Sequence, residues 1–185
     1  ITGAQLPKRG DGSLVLNNAG NNYAGGTMVF GGSLVLGAAN VLSNGVVQMF
    51  NASTLEAGAD ANFANNINLE AGSTATFASR GHVFRVDGAI GEAAAGLGFS
   101  KTGSGTLILG VANTFTGGLT ANEGIVDVRD AASLGTGTAT FNAGTTLRSG
   151  AGVTLANAIA VAGGVTVDTP ELLALGGNIT GTGGI

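Results

Sequence analysis

Residues 96–128 read GLGFSKTGSGTLILGVANTFTGGLTANEGIVDV, and this stretch contains the clearest strand and turn signals of the chain. It runs through a strand, an Asn/Gly loop, a second strand, a glycine corner and a third strand. The residues that define its pattern are Lys101, Gly103, Gly105, Leu107, Leu109, Asn113, Phe115, Gly117 and Gly118. The same order occurs once before, in residues 3–36, at Lys8, Gly10, Gly12, Leu14, Leu16, Asn21, Gly25 and Gly26. The chain therefore contains this block of strands and corners twice.

The block resembles the passenger-associated repeat of bacterial autotransporters, which has the form K-x-G-x-G-T-L-x-L…N-T-Y-T-G-G…G-x-L. The second copy departs from it only slightly, with Phe115 for the usual Tyr. The first copy departs further, with Pro7 before the lysine, two additional Asn in the loop, and Ala24 for Thr. In that family the repeat is associated with efficient secretion and folding of the passenger. The resemblance implies a right-handed parallel β-helix at the bacterial surface, either anchored to the outer membrane or released.

Alignment of the chain with itself extends the duplication beyond the two blocks, as expected of repeat architectures. The offset between matching residues is 93 up to Leu16 and 92 beyond the Asn-rich loop. The matches fall on turn glycines and on apolar strand positions. We therefore divide the chain into two super-repeats, residues 1–95 and 96–185, of one continuous solenoid.

A shorter rhythm of strand, corner and strand recurs about every 20 residues, the length of one coil of a parallel β-helix. Within strands the alternation predicts that Phe84 and Val86 point inward while Arg85 and Asp87 point outward. The sequence thus predicts an all-β, single-stranded parallel β-helix of about nine coils without helices. We expect positive φ or close backbone approach at six corner glycines: Gly31, Gly32, Gly117, Gly118, Gly163 and Gly164.

Composition excludes several kinds of chemistry. The 185 residues include 35 Gly and no Cys, so disulfides, zinc–thiolate sites and thiol nucleophiles are absent. The net charge of −4 and the scatter of only seven basic residues oppose nucleic-acid binding. No apolar run is long enough to insert this segment into a membrane. No calcium-binding nonapeptide is present, and we expect neither a metal nor a cofactor.

Three groups of residues are weighed as candidate sites. Arg9, Gly10 and Asp11 form a tripeptide found on integrin-binding surfaces, but the second copy has Thr102-Gly103-Ser104 there, so the scaffold does not need it. His82, the sole histidine, has Asp87 as its nearest acidic residue in sequence, and we interpret it as a surface loop residue.

Paired carboxylates for glycoside hydrolysis would have to come from Glu56, Asp60 and Glu70, which are spaced to stack on one face. A solvated face explains them better. Lys8 and Lys101 recur in both copies, and we interpret them as charged edge or turn residues that begin a coil. Asn at corners, such as Asn51 and Asn142, is expected to serve turn geometry.

The sequence favours a non-enzymatic, extracellular structural or adhesive segment that acts as a rigid stalk or fibre. The alternative is a self-assembling filament subunit, and a β-helix enzyme acting on polysaccharide is a third hypothesis. Neither end carries a polar capping segment, and the chain begins at Ile1, so we expect a part of a longer protein. We expect self-association through stacked ends or lateral contacts, and a host or matrix surface as a further partner.

Overall fold

A computed structural model describes residues 4–182, which form 22 short β-strands and, within that range, no helix. The strands are β1 (Leu6–Lys8), β2 (Ser13–Leu16), β3 (Thr27–Val29), β4 (Gly32–Leu36), β5 (Val47–Met49), β6 (Ser53–Ala57), β7 (Ala61–Phe63), β8 (Ile67–Leu69), β9 (Ala75–Ala78), β10 (Val83–Val86), β11 (Ile90–Glu92), β12 (Phe99–Thr102), β13 (Thr106–Leu109), β14 (Leu119–Ala121), β15 (Ile125–Val128), β16 (Ala139–Asn142), β17 (Thr146–Ser149), β18 (Val153–Leu155), β19 (Ile159–Ala162), β20 (Thr166–Asp168), β21 (Leu173–Leu175) and β22 (Ile179–Gly181). No helix among the described residues could therefore cross a membrane. Residues 1–3 and 183–185, to which the expected end contacts extend, lie outside the described residues.

The strands stack in parallel on three faces of a β-solenoid. The first face has the order β1-β3-β5-β8-β11, the second β2-β4-β6-β9-β12-β14-β16-β19-β22, and the third β7-β10-β13-β15-β17-β20. In the last turns, β18 and β21 form a separate two-stranded sheet. Each of them comes directly after a third-face strand, which is the position that first-face strands occupy earlier in the chain. The nine strands of the second face mark nine turns. The predicted parallel β-solenoid of about nine turns is confirmed.

The core is a continuous column of apolar side chains inside the three faces. Phe84 and Val86 are at most 1% exposed, as their alternation predicted, and Ile67 and Leu69 are at most 2% exposed. Aromatic rings occupy the middle of the column, where Phe99 lies 4.4 Å from Phe77 between ring centroids. Edge-to-face pairs of this kind add about 0.5–1.5 kcal/mol beyond the area they bury. The aromatic contacts of the core are therefore concentrated in the turns on either side of β12.

The two copies of the block lie on different faces. Lys8 ends β1 on the first face, whereas Lys101 lies in β12 on the second. Four turns lead along the first face from β1 to β11, and β12 is the next strand after β11. The super-repeat therefore spans four turns plus one face, and the second copy is rotated by one face about the solenoid axis.

Four of the six corner glycines behave as predicted. Gly32, Gly118 and Gly163 have positive φ of 61°, 86° and 117°. A Cβ atom on Gly117 would collide with the backbone of Gly96 and Leu97 in the turn before it. The prediction is wrong for the remaining two, because Gly31 and Gly164 have neither positive φ nor a crowded Cβ position. Doubled glycines thus mark a corner, but the geometry need not constrain both.

Candidate functional site

The most unusual polar group of the fold is the buried ammonium of Lys101. The side chain is 0% exposed and lies in the inward column of the second face, between Phe77 and Ala121 of the adjacent strands. Its Nζ donates to the carbonyl oxygens of Thr102, Gly103 and Glu123 at 3.1, 2.6 and 2.9 Å. These carbonyls belong to two successive corners, because Glu123 lies one turn beyond Gly103. We call this ammonium and its carbonyl acceptors a lysine cradle.

Lys8 forms the same cradle in the first copy, on a different face. It is 5% exposed, and its Nζ donates to Arg9 O at 3.2 Å, Gly10 O at 2.5 Å and Gly31 O at 2.7 Å. In both copies the ammonium therefore joins the corner of its own turn to the corner of the next. The interpretation of Lys8 and Lys101 as charged edge or turn residues is wrong. Lysine occurs at these two positions alone in the sequence, so each lysine of the chain is buried in a cradle.

Burial determines the electrostatics of the second cradle. Removal of the ammonium from water lowers the pKa of Lys101 from 10.5 to about 8, and the charge of Glu123 raises it in opposition. The ammonium is therefore still protonated at neutral pH. Ser79 Oγ also accepts from Nζ, at 2.8 Å, so four oxygen atoms surround the nitrogen, three of them carbonyl oxygens. An ammonium suits this site better than a neutral amine, because it carries one more proton to donate and a positive charge.

Asparagine side chains form a second set of links between turns. Asn113 is 4% exposed, and its Nδ2 donates to Ser133 O at 2.5 Å while its Oδ1 accepts from Ile90 N at 2.7 Å. One amide thus connects the turn before it to the turn after it. Asn21, its counterpart in the first copy, likewise donates to Val41 O at 2.8 Å, 20 residues further on. We call Asn21 and Asn113 the forward-linking asparagines.

Two further asparagines link backward. Asn65 Nδ2 donates to Ser43 O and Gly45 O at 2.6 and 2.7 Å, and these acceptors lie in the preceding turn. Asn157 repeats this arrangement with Gly135 O and Gly137 O at 3.0 and 2.9 Å. Asn65 and Asn157 match at the 92-residue offset, and that recurrence is the signal from which the link could have been inferred. The expected turn geometry holds for Asn51, which has a φ of 49°, but its Nδ2 also donates to Phe30 O at 3.0 Å in the preceding turn. Asn142 instead ends β16 without positive φ, and its Nδ2 donates to Asn122 Oδ1 at 2.7 Å.

The remaining motif residues support the cradle and the core. Leu107 and Leu109 are buried on the third face, and Phe115 is fully buried with its ring centroid 5.1 Å from that of Phe99. Gly103 and Gly105 lie where a Cβ atom would collide with the backbone of the preceding corner. These residues therefore act through packing and close backbone approach.

The Arg9-Gly10-Asp11 tripeptide lies exposed at the first corner. The guanidinium carbon of Arg9 stands 4.0 Å from the ring centroid of Phe30, and this ring stacks on Phe50 at 4.5 Å. Gly10 has a φ of 72° and supplies a carbonyl to the cradle of Lys8. Arg9 is thus held against an aromatic pair, whereas Asp11 projects without a described ion-pair partner in residues 4–182.

His82 lies near a different carboxylate from the one nearest in sequence. Its Nδ1 is 3.7 Å from Asp60 Oδ1, one turn earlier, whereas Asp87 pairs with Arg85 at 2.7 Å. The Asp60 carboxylate also accepts from Val83 N at 2.9 Å. The exposed fraction of the His82 side chain is 40%, which agrees with its interpretation as a surface loop residue.

The carboxylates of Glu56 and Glu70 have separate partners. Glu56 Oε1 lies 2.6 Å from Arg80 Nη2, and Glu70 Oε1 accepts from Gln48 Nε2 and Asn68 Nδ2 at 2.9 and 2.8 Å. The structure therefore brings Glu56, Asp60 and Glu70 into three different local networks. Within residues 4–182 no three His, Cys, Asp or Glu side chains are grouped so that they could hold a metal ion.

Two spans of the chain match the family described as passenger-associated-transport-repeat, residues 6–36 and 99–128. The chain carries two of these transport repeats. Each matched span begins two residues before a cradle lysine. The first span ends with β4 and the second with β15, so each covers the two turns that its cradle joins. The repeats occupy about a third of the chain, and together with the β-solenoid they fit a segment of an autotransporter passenger. No curated protein and no solved structure matches the chain.

Proposed function

We propose that this chain is a non-catalytic structural segment of an autotransporter-like surface protein, exposed outside the cell as a rigid stalk. The observation that carries the proposal is the lysine cradle, which makes the same contacts in both transport repeats. A buried ammonium that joins two corners fixes the height and register of one turn on another. A rod built from such turns resists bending because neither turn can slide without breaking charge-assisted hydrogen bonds.

The cradle also suggests how the repeat aids folding of the passenger. A solenoid can nucleate wherever two successive turns are first held together and then grow one turn at a time. Lys101 reaches Glu123 across 22 residues, a short loop to close compared with contacts between distant parts of a chain. Each transport repeat therefore supplies a nucleus of two turns, with a forward-linking asparagine that adds the next contact.

Self-association is the second part of the proposal. The second face ends at β2 and β22, and Ile179 of β22, which pairs with the buried Ile159, is 47% exposed. Strand edges above exposed apolar residues favour pairing with another coil, either from the same protein or from a second copy. Adhesion through Arg9-Gly10-Asp11 is not included, because Arg9 stacks on Phe30 and the second repeat has Thr102-Gly103-Ser104 at this position.

A display experiment tests the proposal. The chain would be fused upstream of an autotransporter translocator in a Gram-negative host, and folded surface product would be measured as the fraction resistant to external proteinase K. We expect the wild-type fusion to be displayed and resistant, and Lys8→Met with Lys101→Met to lower the resistant fraction severalfold. Arg148→Met, which removes a half-exposed cation on the third face, is the matched control and should have little effect.

The passenger function and the folding role of the cradle fail in different ways. If the wild-type fusion never reaches the surface, the passenger function is wrong. If the double lysine variant is displayed and resists protease as well as the wild type does, the passenger function stands but the cradle is not its folding nucleus.

A further inference from the structure

An open cleft of about 640 Å³ lies where three successive corners lead onto the first face. It is bounded by residues 19–24, 40–46 and 63–66. Its volume falls within the range of small-molecule sites, roughly 300–1,000 Å³. Six of its lining side chains are asparagines: Asn21, Asn22, Asn40, Asn44, Asn65 and Asn66.

Two of the six asparagines serve the fold, and the other four have hydrogen-bonding capacity to spare. Asn21 and Asn65 are the linking asparagines, committed to backbone carbonyls. Asn22, Asn40 and Asn44 are exposed, and their amides make no side-chain hydrogen bond within residues 4–182. Asn66 accepts from Ala89 N through Oδ1, which leaves its Nδ2 donors free among the described residues. The cleft thus presents several unused amide donors and acceptors side by side.

The second super-repeat shows that the fold does not require these amides. Asn21 and Asn65 recur there as Asn113 and Asn157 with equivalent contacts. At the same offset of 92 residues, the other four asparagines correspond to Thr114, Ala132, Thr136 and Ala158. Four amides that the duplicated scaffold does without are therefore concentrated in one concave region.

The chemistry of the lining specifies the class of ligand. No Asp, Glu, Lys or Arg is among its residues, and Leu42 and Val46 contribute an apolar wall, with Val46 45% exposed. An amide presents a donor and an acceptor together, which suits a pair of neighbouring hydroxyl groups. A second shallow groove of about 520 Å³ shares Val46 and Asn66 and continues along the first face, so an elongated ligand could follow the solenoid axis. We propose that this cleft binds an uncharged oligosaccharide chain.

The test uses the whole 185-residue chain and defined hexasaccharides. Binding of cellohexaose, maltohexaose, mannohexaose and chitohexaose would be measured by calorimetry and by saturation-transfer NMR, with hexagalacturonate as the acidic probe. The variant combines Asn22→Thr, Asn40→Gly and Asn44→Thr. Thr is the residue of the second super-repeat, and Gly at position 40 keeps the positive φ of 54° without strain. Asn178→Ala, an exposed amide outside the cleft, is the control.

We expect at least one neutral hexasaccharide to bind and the triple variant to weaken it tenfold or more, since each hydrogen bond contributes about a fivefold change in affinity. The control should bind as the wild type does, and all three proteins should have the same circular dichroism. Absence of binding by every neutral probe overturns the proposal. A preference for hexagalacturonate, or equal binding by the triple variant, overturns it as well.

Discussion

Lys101→Met isolates the contribution of the second lysine cradle. Three carbonyl oxygens lose a charged donor, and Met fills nearly the same volume without replacing it. At about 2 kcal/mol for each charge-assisted hydrogen bond that is removed, the loss is about 6 kcal/mol. Thr102 O still accepts from Ser79 N and Gly103 O from Ser79 Oγ, so Glu123 O is the carbonyl that loses its described donor. Part of this loss is offset, because Met does not require an ammonium to be buried. The lowered pKa of Lys101 corresponds to a free-energy cost of about 3 kcal/mol for burying the charged group at pH 7. We therefore expect a net loss of about 3 kcal/mol in the free energy of unfolding.

The pH dependence follows from the pKa of Lys101. The folded protein loses this proton near pH 8 and the unfolded chain near pH 10.5, so between these values the unfolded state binds more protons. The free energy of unfolding therefore rises with pH in this window, by up to about 1.4 kcal/mol for each pH unit. The advantage of the wild type over Lys101→Met should grow from about 3 kcal/mol at pH 7 to about 5 kcal/mol at pH 9.5.

Urea unfolding followed by circular dichroism at pH 7.0, 8.0 and 9.5 provides the measurement, with Arg148→Met as the control for loss of a cation at the surface. The difference in free energy of unfolding between wild type and Lys101→Met removes every contribution to the pH dependence that both proteins share. Equal stability at pH 7 would refute the cradle as a link between turns. If the stability advantage of the wild type shrinks between pH 8 and 9.5, burial does not control the pKa of Lys101. Such a decrease would require the carbonyl acceptors to hold the pKa of Lys101 in the folded protein above 10.5.

Three further substitutions test other contacts. Asn113→Ala removes two buried hydrogen bonds to neighbouring turns and should lower the free energy of unfolding by about 2–4 kcal/mol. A loss no larger than that of Asn178→Ala, which removes an exposed amide, would contradict the forward link. Gly118→Val forces a branched side chain into positive φ against the backbone of Thr138 and should lower the free energy of unfolding by about 3 kcal/mol or more. Gly164→Val, at an uncrowded position, should lower it by under about 1 kcal/mol, and similar melting temperatures of the two variants would contradict this reasoning. Ile179→Asp should lower the sedimentation coefficient of any assemblies that the wild-type chain forms, and an unchanged distribution would place the contact elsewhere.

The fold could be predicted from the sequence because its signals are local. Alternation in Phe84–Asp87 determines which side chains enter the core, and corners about 20 residues apart determine the length of one turn. Both require only the period of two along a strand and the conformations that glycine allows. The position of a strand on a particular face is less accessible, because the number of residues between corners varies from turn to turn. The rotation between Lys8 and Lys101 therefore does not follow from the sequence alone.

The contacts of the lysines and asparagines could not be predicted for a different reason. A lone lysine before a glycine corner is ordinarily solvated, since burial of an unpaired ammonium costs several kcal/mol. Lys101 becomes favourable only because carbonyls from two turns converge on it, and that convergence depends on the stacking itself. The proximity of Asp60 to His82 likewise depends on stacking, because the two residues lie in successive turns.

The rotation between the two transport repeats limits what their shared sequence can encode. Lys8 and Lys101 lie on different faces, so the contacts common to both copies cannot depend on a property of one face. What the copies share is the relation between a turn and the next one, carried by Gly10 O and Gly31 O in the first and by Gly103 O and Glu123 O in the second. In this chain each matched repeat therefore stacks two turns, on whichever face it begins. The faces between repeats remain free to differ, and the amide-lined cleft beside Asn22 and Asn44 is a feature of this kind.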